Sequence, residues 1–241
     1  MAESYLLLWL EAPLQSWGHD SKYGRRDSLD FPTKSGVLGL LCCAMGAGGE
    51  QKELLARWAD RNMLVKAYAP QDHKGNLLPR LPMLKDFHMV GSGYDDKDPW
   101  QSLLIPKKSD GGKAVGGGTK MTYRYYLQDM AFAVILTAPL DELEQLQQAL
   151  HNPVWDLYLG RKNCVPTEFI GQGIYSSQME AIDYANQFAI AENRSVKRSA
   201  IFRVLEGEHE DGEILILNDV PIQFGSHKIY RDRRVTIQKY D

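Results

Sequence analysis

The amino-acid sequence predicts an α+β protein. Short apolar runs typical of buried strands alternate with segments of helical periodicity, in a β-α-β, insertion, β-α-β order. The insertion covers about 78–129, and a row of short strand-like runs begins near residue 199. The β-α-β order is compatible with a ferredoxin-like (RRM-like) domain. We therefore expect one such domain over 1–198, interrupted by the insertion, and a small antiparallel β subdomain over 199–241.

The first unit begins with an apolar run at 4–11, which we interpret as a buried strand. Residues 34–46 predict a helix with Thr33 as its N-cap, because a hydroxyl there can accept a hydrogen bond from a free backbone N–H. A second helix follows, and 63–69 predicts the next strand. The residues that give the second helix its spacing are Leu54, Leu55 and Trp58.

The second unit begins with an aliphatic strand at 131–137. Pro139 starts a helix whose first turn carries Asp141 and Glu142, where the helix dipole favours acidic side chains. Leucines on one face of this helix predict its buried side. They are Leu140, Leu143, Leu146 and Leu150. The C-terminal strands are expected at 201–205, 214–217, 221–224 and 235–238.

Composition bounds the function without naming it. The 241 residues are 44% hydrophobic, which is enough for a core, and they carry a formal net charge of -3. Contact with nucleic acid must therefore come from locally clustered cations, or within an assembly whose other subunits supply positive potential. Three cysteines, with Cys42 and Cys43 adjacent, fit neither a disulfide framework nor zinc-ligand spacing.

We expect a cytoplasmic protein with reduced thiols, no metal and no other cofactor. No apolar run approaches the ~20 residues of a membrane span. The N-terminus also lacks the basic region and cleavage site of a secretory leader.

The segment 12–46 carries the strongest functional signal. A strand leads into a basic loop, which ends at a Thr-Lys-Ser-Gly helix start. Backbone N–H groups at a helix start and nearby cations suit a phosphate chain, while Trp17 and arginine side chains can stack on bases. The alternative is a solvated loop with Trp17 in the core and a helix start that is only capped. The candidate residues are Gln15, Ser16, Trp17, Lys22, Arg25, Arg26, Thr33, Lys34 and Ser35.

The insertion is the second signal, because a loop this long inside a compact domain is usually functional or disordered. Its glycine-rich centre predicts a flexible basic tip on a hairpin, here called the thumb, with arms near 81–90 and 121–126. Tyr123, Tyr125 and Tyr126 offer stacking faces for unpaired bases. A disordered surface loop without a partner is the alternative. The candidate cations are Lys107, Lys108, Lys113, Lys120 and Arg124.

A third constellation spans 158–164. Gly160 can adopt a positive φ, so a sharp bend there would present the donors of the residues that follow, and a plain turn is the alternative. The candidate residues are Tyr158, Gly160, Arg161, Lys162 and Asn163. A further cationic cluster is interpreted as a solvated sheet edge that discourages pairing with other sheets. It consists of Lys228, Arg231, Arg233 and Arg234.

Catalysis has less support. The six histidines are scattered, and the sequence has no metal-binding, nucleophile-elbow or Walker motif, so we assign no catalytic residue. Metal-independent RNA cleavage stays open, because it needs only a base near a 2′-OH and a cation near the phosphate. His19 or His88, with Lys22 and Tyr23, could fill these roles.

The order of these motifs resembles the CasD family, the subunit of the type I-E CRISPR Cascade complex that grips the 5′ end of the guide RNA. The resemblance is carried by YLLLWL at 5–10, APLQSWG at 12–18, FPTKSGVLGLL at 31–41 and YLGRKNC at 158–164. It covers roughly the first two-thirds of the chain. It implies a thumb that reaches over the guide RNA, and RNA processing by a separate subunit.

The residues and the resemblance together predict a non-catalytic RNA-binding subunit that holds the 5′ handle of the crRNA. The implied partners are the large subunit and the adjacent backbone subunit of Cascade, with target DNA contacted only indirectly and no membrane. One alternative is a metal-independent endoribonuclease that processes CRISPR repeat RNA. Another is an assembly subunit whose basic loop docks onto protein alone.

Overall fold

The computed structural model describes residues 3–19, 21, 24–90, 108, 110, 112 and 120–240. In chain order its elements are β1 (Glu3–Glu11), β2 (Leu14–Gln15), β3 (Arg25–Arg26), α1 (Lys34–Met45), α2 (Lys52–Trp58), β4 (Met63–Pro70), β5 (Leu84–Val90), β6 (Lys120–Gln128), β7 (Ala131–Pro139), α3 (Leu140–His151), β8 (Gly171–Tyr175), α4 (Gln178–Ala189), β9 (Arg198–Glu206), β10 (Glu213–Gln223) and β11 (Ile229–Lys239).

An antiparallel sheet of seven strands forms the centre of the α+β fold. Its order is β10-β11-β9-β4-β7-β1-β8. β1 pairs with β7 along its whole length, from Glu3 opposite Pro139 to Glu11 opposite Ala131. The strands predicted at 4–11, 63–69 and 131–137 are confirmed as β1, β4 and β7.

β1 supplies both faces of the sheet. Leu6, Leu8 and Leu10 belong to the core that includes α1 and α3, whereas Leu7 and Trp9 belong to the core that includes α4. Because successive side chains of a strand point to opposite faces, a single apolar run serves both cores.

α4 has no counterpart among the predicted elements, although a local signal marks its start. Ser177 is the N-cap, and its side chain accepts a hydrogen bond from the backbone N of Glu180. Serine followed three residues later by glutamate is a helix-start signature. The buried face of the helix consists of Ala181, Ala185 and Ala189, and alanines give little hydrophobic contrast to a sequence pattern.

α1 begins as predicted at Thr33, whose Oγ1 accepts a hydrogen bond from the backbone N of Gly36 at 3.1 Å. Gly36 is also where Trp17 packs against the helix, and a Cβ at this position would lie 2.8 Å from the indole ring. The absence of a side chain at Gly36 therefore makes room for Trp17, which is 1% exposed.

α3 is confirmed, with Leu143, Leu146 and Leu150 buried. Leu140 is 49% exposed, so the buried face begins one turn later than predicted. Glu142 accepts two hydrogen bonds from the guanidinium of Arg61, at 2.7 and 2.8 Å. This pair ties the first turn of α3 to the segment that follows α2.

The last three strands continue the same sheet. β9 pairs with β4, and β11 joins β9 to β10. The predicted C-terminal strands are confirmed, except that the runs at 214–217 and 221–224 fall in the single strand β10 and its end. Phe202 and Val235 belong to the same core as β1. The strands on the two sides of residue 199 share one sheet and one core. The domain boundary predicted at this residue stays a prediction.

The arms of the thumb are β5 and β6. They pair in antiparallel register, from Leu84 opposite Tyr126 to Val90 opposite Lys120. β6 also pairs with β2 and β3, each only two residues long. These short pairings join the thumb to the body of the protein.

A buried ionic cluster holds the start of α1 against the C-terminal strands. Asp219 accepts a hydrogen bond from the backbone N of Lys34 at 2.8 Å, and Arg233 donates to both of its carboxylate oxygens at 2.6 and 2.8 Å. Arg233 also reaches Glu206 at 2.8 Å, and Lys34 Nζ lies 3.1 Å from the same carboxylate oxygen. Burial lowers the pKa of Lys34, and Glu206 partly offsets that effect.

Removal of the Asp219 carboxylate is expected to destabilise the protein strongly. Asp219→Ala leaves Arg233 without this buried carboxylate, a change that costs about 3–5 kcal/mol of unfolding free energy. Asp232→Ala, on an exposed part of β11, is the matched control and should change that free energy by about 0.5 kcal/mol or less. Urea unfolding measures the unfolding free energy of both variants. Equally small losses in the two would contradict a stabilising role for the Asp219 carboxylate.

The Arg61–Glu142 pair predicts a pH dependence of stability. Hydrogen bonding from Arg61 holds the pKa of Glu142 below its ordinary value, so the pair stabilises the folded state above about pH 4.3 and loses its effect as the pH falls through the lowered pKa. Glu142→Gln should cost about 0.5–1 kcal/mol at neutral pH. The difference from the native protein should disappear in acid.

Urea unfolding of Glu142→Gln at neutral and at acid pH provides the measurement, with Glu144→Gln on the exposed side of α3 as the control. A difference that persists in acid would show that the pair does not act through the charge of Glu142.

Candidate nucleic-acid interface

A cleft of about 440 Å³ lies where α1 begins, and segments from three parts of the chain line it. It brings the first predicted segment, around residues 16–18 and 33–36, against the third, around residues 158–160. The turn between β10 and β11 closes the cleft. The lining residues are Ser16, Trp17, Gly18, Thr33, Ser35, Gly36, Gly39, Leu40, Cys43, Tyr158, Gly160, Phe224, Lys228 and Tyr230.

Gly160 makes the meeting of the two predicted segments possible. Its φ is +92°, as the sequence predicts, and a Cβ at this position would lie 1.6 Å from the carbonyl oxygen of Ser16. The backbone N of Ser16 donates to the carbonyl of Leu159 at 3.1 Å. Two distant segments therefore touch backbone to backbone, and only glycine fits the contact.

The described lining of the cleft carries little charge. Among the described lining residues, Lys228 carries a full charge and none is acidic. Burial raises the pKa of the Cys43 thiol, and the neighbouring Asp156 adds to the shift. The thiol is therefore uncharged at neutral pH, and its Sγ donates to the carbonyl of Asp156 at 3.3 Å. Lys162 lines a neighbouring hollow that shares Cys43 and Tyr158 with the cleft.

The side chains of Gln15 and Trp17, predicted as RNA contacts, are buried and support the fold. Gln15 Nε2 donates to the carbonyls of Leu10 and Met130 at 3.2 and 2.7 Å. Gln15 Oε1 accepts from the indole N–H of Trp17 at 3.1 Å. The two side chains are 0% and 1% exposed, and Trp17 contributes to the cleft lining from this buried position.

The start of α1 already holds an anion, and the anion belongs to the protein. The carboxylate of Asp219 accepts from the backbone N of Lys34, and Thr33 caps Gly36. Lys34 is 3% exposed, and its ammonium donates to the carbonyls of Ala59 and Arg61. The side chains of Thr33 and Lys34 therefore have internal partners, and their phosphate contacts stay a prediction.

Ser16 and Ser35 differ in whether their hydroxyl groups are accessible to a ligand in the cleft. Ser16 is buried, and its Oγ donates to the carbonyl of Tyr125 at 3.1 Å. Ser35 is half-buried on the cleft wall, with its Oγ 3.4 Å from Thr33 Oγ1. Of the two hydroxyls, that of Ser35 is the one placed to meet a ligand in the cleft.

The side chain of Arg161 binds backbone atoms of β3 and β6. Its Nη1 donates to the carbonyl of Tyr125 at 3.2 Å and its Nη2 to the carbonyl of Arg26 at 2.9 Å. Its Cζ lies 4.6 Å from the centre of the Tyr126 ring. Two of its nitrogens thus donate to backbone carbonyls, and its RNA contact stays a prediction, whereas the next residues, Lys162 and Asn163, are exposed.

One face of the thumb arms carries aromatic and basic side chains. Phe87 lies opposite Tyr123, with ring centres 5.3 Å apart, and they are 48% and 42% exposed. Lys85 Nζ lies 4.4 Å from the centre of the Tyr123 ring, and Arg25 Cζ lies 5.1 Å from that of Tyr125. Arg26 and Arg124 pair in register on the other face of the same small sheet.

Some predicted cations lie outside the described residues: Lys22, Lys107 and Lys113. Lys108 is exposed, and its backbone N donates to the carbonyl of Gly112 at 2.7 Å. Lys120 is the first residue of β6.

Sequence reasoning missed the C-terminal contribution to the cleft. Lys228 and Tyr230 line the cleft. The sequence predicts only a solvated sheet edge for the cationic cluster that contains Lys228. Arg233, from the same predicted cluster, does not lie at a solvated edge. Its side chain is 7% exposed and lies inside the buried ionic cluster. The available signal was a lysine and a tyrosine close together in a polar turn.

A larger cavity than the cleft, of about 1160 Å³, lies elsewhere, between residues 70–81 and 190–198. None of the predicted RNA-binding residues lines it. None of the helices in the described ranges has the length and apolar character needed to cross a membrane.

Comparison with known proteins identifies a family. Residues 5–236 match the family described as CRISPR-associated protein (Cas_Cas5). The CRISPR system Cascade subunit CasD of Escherichia coli (strain K12) is 28% identical over 187 residues, which cover 74% of this chain and 75% of that protein.

Solved structures agree with that match. A chain titled CRISPR RNA-guided surveillance complex aligns with a TM-score of 0.70 at 27% identity, over 98% of this chain and 89% of its own length. A second, titled crystal structure of Cas protein, aligns with a TM-score of 0.58 at 27% identity, over 98% of this chain and 94% of its own. The protein is thus a homologue of a Cascade subunit, and it belongs to the Cas5 family of CRISPR-associated proteins.

Proposed function

We propose that this protein is a non-catalytic RNA-binding subunit of a type I-E Cascade complex and that it holds the 5′ handle of the crRNA. The observation that carries the proposal is the cleft, because segments near residues 16, 35, 160 and 228 contribute to one lining. Family membership and the similarity to CasD, a Cascade subunit by name, support the biological setting.

The chemistry of the cleft suits a single-stranded phosphate chain. Lys228 and the nearby Lys162 are exposed cations, and Ser35, Tyr158 and Tyr230 add hydroxyl donors. A volume of about 440 Å³ falls within the range of roughly 300–1,000 Å³ of small-ligand sites. The cleft therefore fits a nucleotide of a single strand better than a duplex.

The thumb would act on the bases. An exposed aromatic pair with a cation beside it is a platform on which unpaired bases stack, at about 1–3 kcal/mol per base. Phe87, Tyr123 and Lys85 supply such a platform. Together with the basic tip residues Lys107, Lys108 and Lys113, the arms would clamp the handle while the cleft holds its phosphates.

The proposal extends to partners and setting. The protein would contact the large subunit and the adjacent backbone subunit of Cascade in the cytoplasm, and would meet target DNA only through them. We also infer that β1, α1, β4, β7, α3 and β8 form the ferredoxin-like unit, because their order follows the β-α-β-β-α-β pattern. β9 to β11 would then be the C-terminal addition.

Cleavage of repeat RNA is the competing function, and one observation favours it. His88 Nε2 lies 2.5 Å from Asp86 Oδ2 on β5, and Asp86 stands opposite Arg124 on β6. A histidine oriented by a carboxylate beside a cation is a workable general-base arrangement. The other residues predicted to take part in cleavage, Lys22 and Tyr23, lie outside the described residues.

Charge reversal in the cleft is expected to weaken handle binding. Lys162→Glu with Lys228→Glu should lower the affinity for handle RNA and flatten its dependence on salt, because fewer phosphates are neutralised. Lys52→Glu with Lys74→Glu, at two exposed positions outside the cleft lining, changes the net charge by the same amount and should have a much smaller effect.

Filter binding or fluorescence anisotropy across a salt series gives both quantities. An unchanged affinity in the double variant would contradict the RNA assignment. Handle-independent retention in the complex would favour docking onto protein alone.

Incubation of the purified chain with repeat RNA and a chelator separates the two functions. We expect the RNA to remain intact on a denaturing gel. Specific cleavage that is lost in His88→Ala would displace the binding proposal in favour of the enzyme.

A further inference from the structure

Two short strand pairings, and the burial of Tyr126 and Leu127 of β6 in the main core, join the thumb to the rest of the protein. β2 and β3, which pair with the end and the middle of β6, are two residues long. A two-stranded hairpin is marginally stable by itself in water. Side-chain contacts at the root of the thumb therefore have a large share in fixing its direction.

Arg161 provides a contact of this kind. Its guanidinium donates to a carbonyl on β3 and to one on β6, at Arg26 and Tyr125, and it covers the ring of Tyr126. Both acceptors are backbone atoms, so the bonds hold the strands themselves. The planar guanidinium of arginine can donate to both carbonyls while its face stacks on the ring, whereas the ammonium of lysine has no planar face to stack.

The same loop forms the wall of the cleft. Ser16, which touches Gly160, donates its Oγ to the carbonyl of Tyr125, the acceptor that Arg161 also uses. The cleft wall, the segment before α1 and the root of the thumb thus meet at one carbonyl oxygen.

We propose that Arg161 is a positioning residue that aligns the thumb with the cleft and makes no phosphate contact itself. The inference rests on the proposed function for its consequence in RNA binding. Its structural part concerns the free protein. The loop at 158–164 would thereby also set the direction of strands β5 and β6 relative to the cleft.

Adjacent cations allow a matched test. Arg161→Ala should lower the affinity for handle RNA by roughly tenfold while the slope of log affinity against log salt stays as in the native protein. Lys162→Ala should reduce the steepness of that slope by about 0.7, the contribution of one single-strand phosphate contact. Arg161→Lys keeps the charge but loses the fork, and should behave like Arg161→Ala.

Results of three kinds would overturn the proposal. These are a slope that falls in Arg161→Ala as it does in Lys162→Ala, full rescue by Arg161→Lys, and an affinity that does not change at all. The first two would make Arg161 a phosphate contact.

A second measurement needs no RNA. Spin labels at Met89→Cys on β5 and Gln187→Cys on α4, both exposed, in a Cys43→Ser background, report the distance between thumb and body. We expect a narrow distance distribution with Arg161 and a broad one in Arg161→Lys, which is the less disruptive variant. Equal widths would overturn the positioning role. If the chain binds no handle RNA, the proposed function fails, and the label distances still decide the role of Arg161.

Discussion

The contact between Gly160 and Ser16 is the constraint on which the candidate interface depends. The two residues come so close that a Cβ at Gly160 would lie 1.6 Å from the Ser16 carbonyl oxygen. A substituted residue would need different backbone angles and a wider separation of the two segments. The contact fixes the loop after α3 to the segment before α1, and both walls of the cleft follow from it. It also brings Arg161 within reach of the thumb.

Charge is the second determinant. The chain has a formal net charge of -3, and much of its basic side-chain content is used internally. Lys34 and Arg233 neutralise Glu206 and Asp219, Arg161 serves backbone carbonyls, and Arg198 pairs with Glu11. At the cleft, the exposed cations are Lys162 and Lys228. Under the proposed function, an RNA grip built on these two charges would gain from any positive potential that other subunits of an assembly supply.

Local features of the sequence predicted local structure well. The cap at Thr33, the positive φ at Gly160 and the buried strand at 4–11 each depend on a few neighbouring residues, and all are present. The fate of individual polar side chains was harder to predict, because their partners lie far away in the sequence. Gln15 bonds to the carbonyl of Met130, and Arg161 bonds to that of Arg26. A cation suited to phosphate is equally suited to a buried carboxylate or carbonyl, so composition could not separate contact residues from supporting ones.

Photo-crosslinking of handle RNA that carries 4-thiouridine, followed by peptide mapping in the assembled complex, tests the central claim most directly. The account predicts crosslinks to peptides that contain Tyr158, Tyr230 or the Phe87–Tyr123 face of the thumb. Crosslinks confined to the separate large cavity, between residues 70–81 and 190–198, would contradict it.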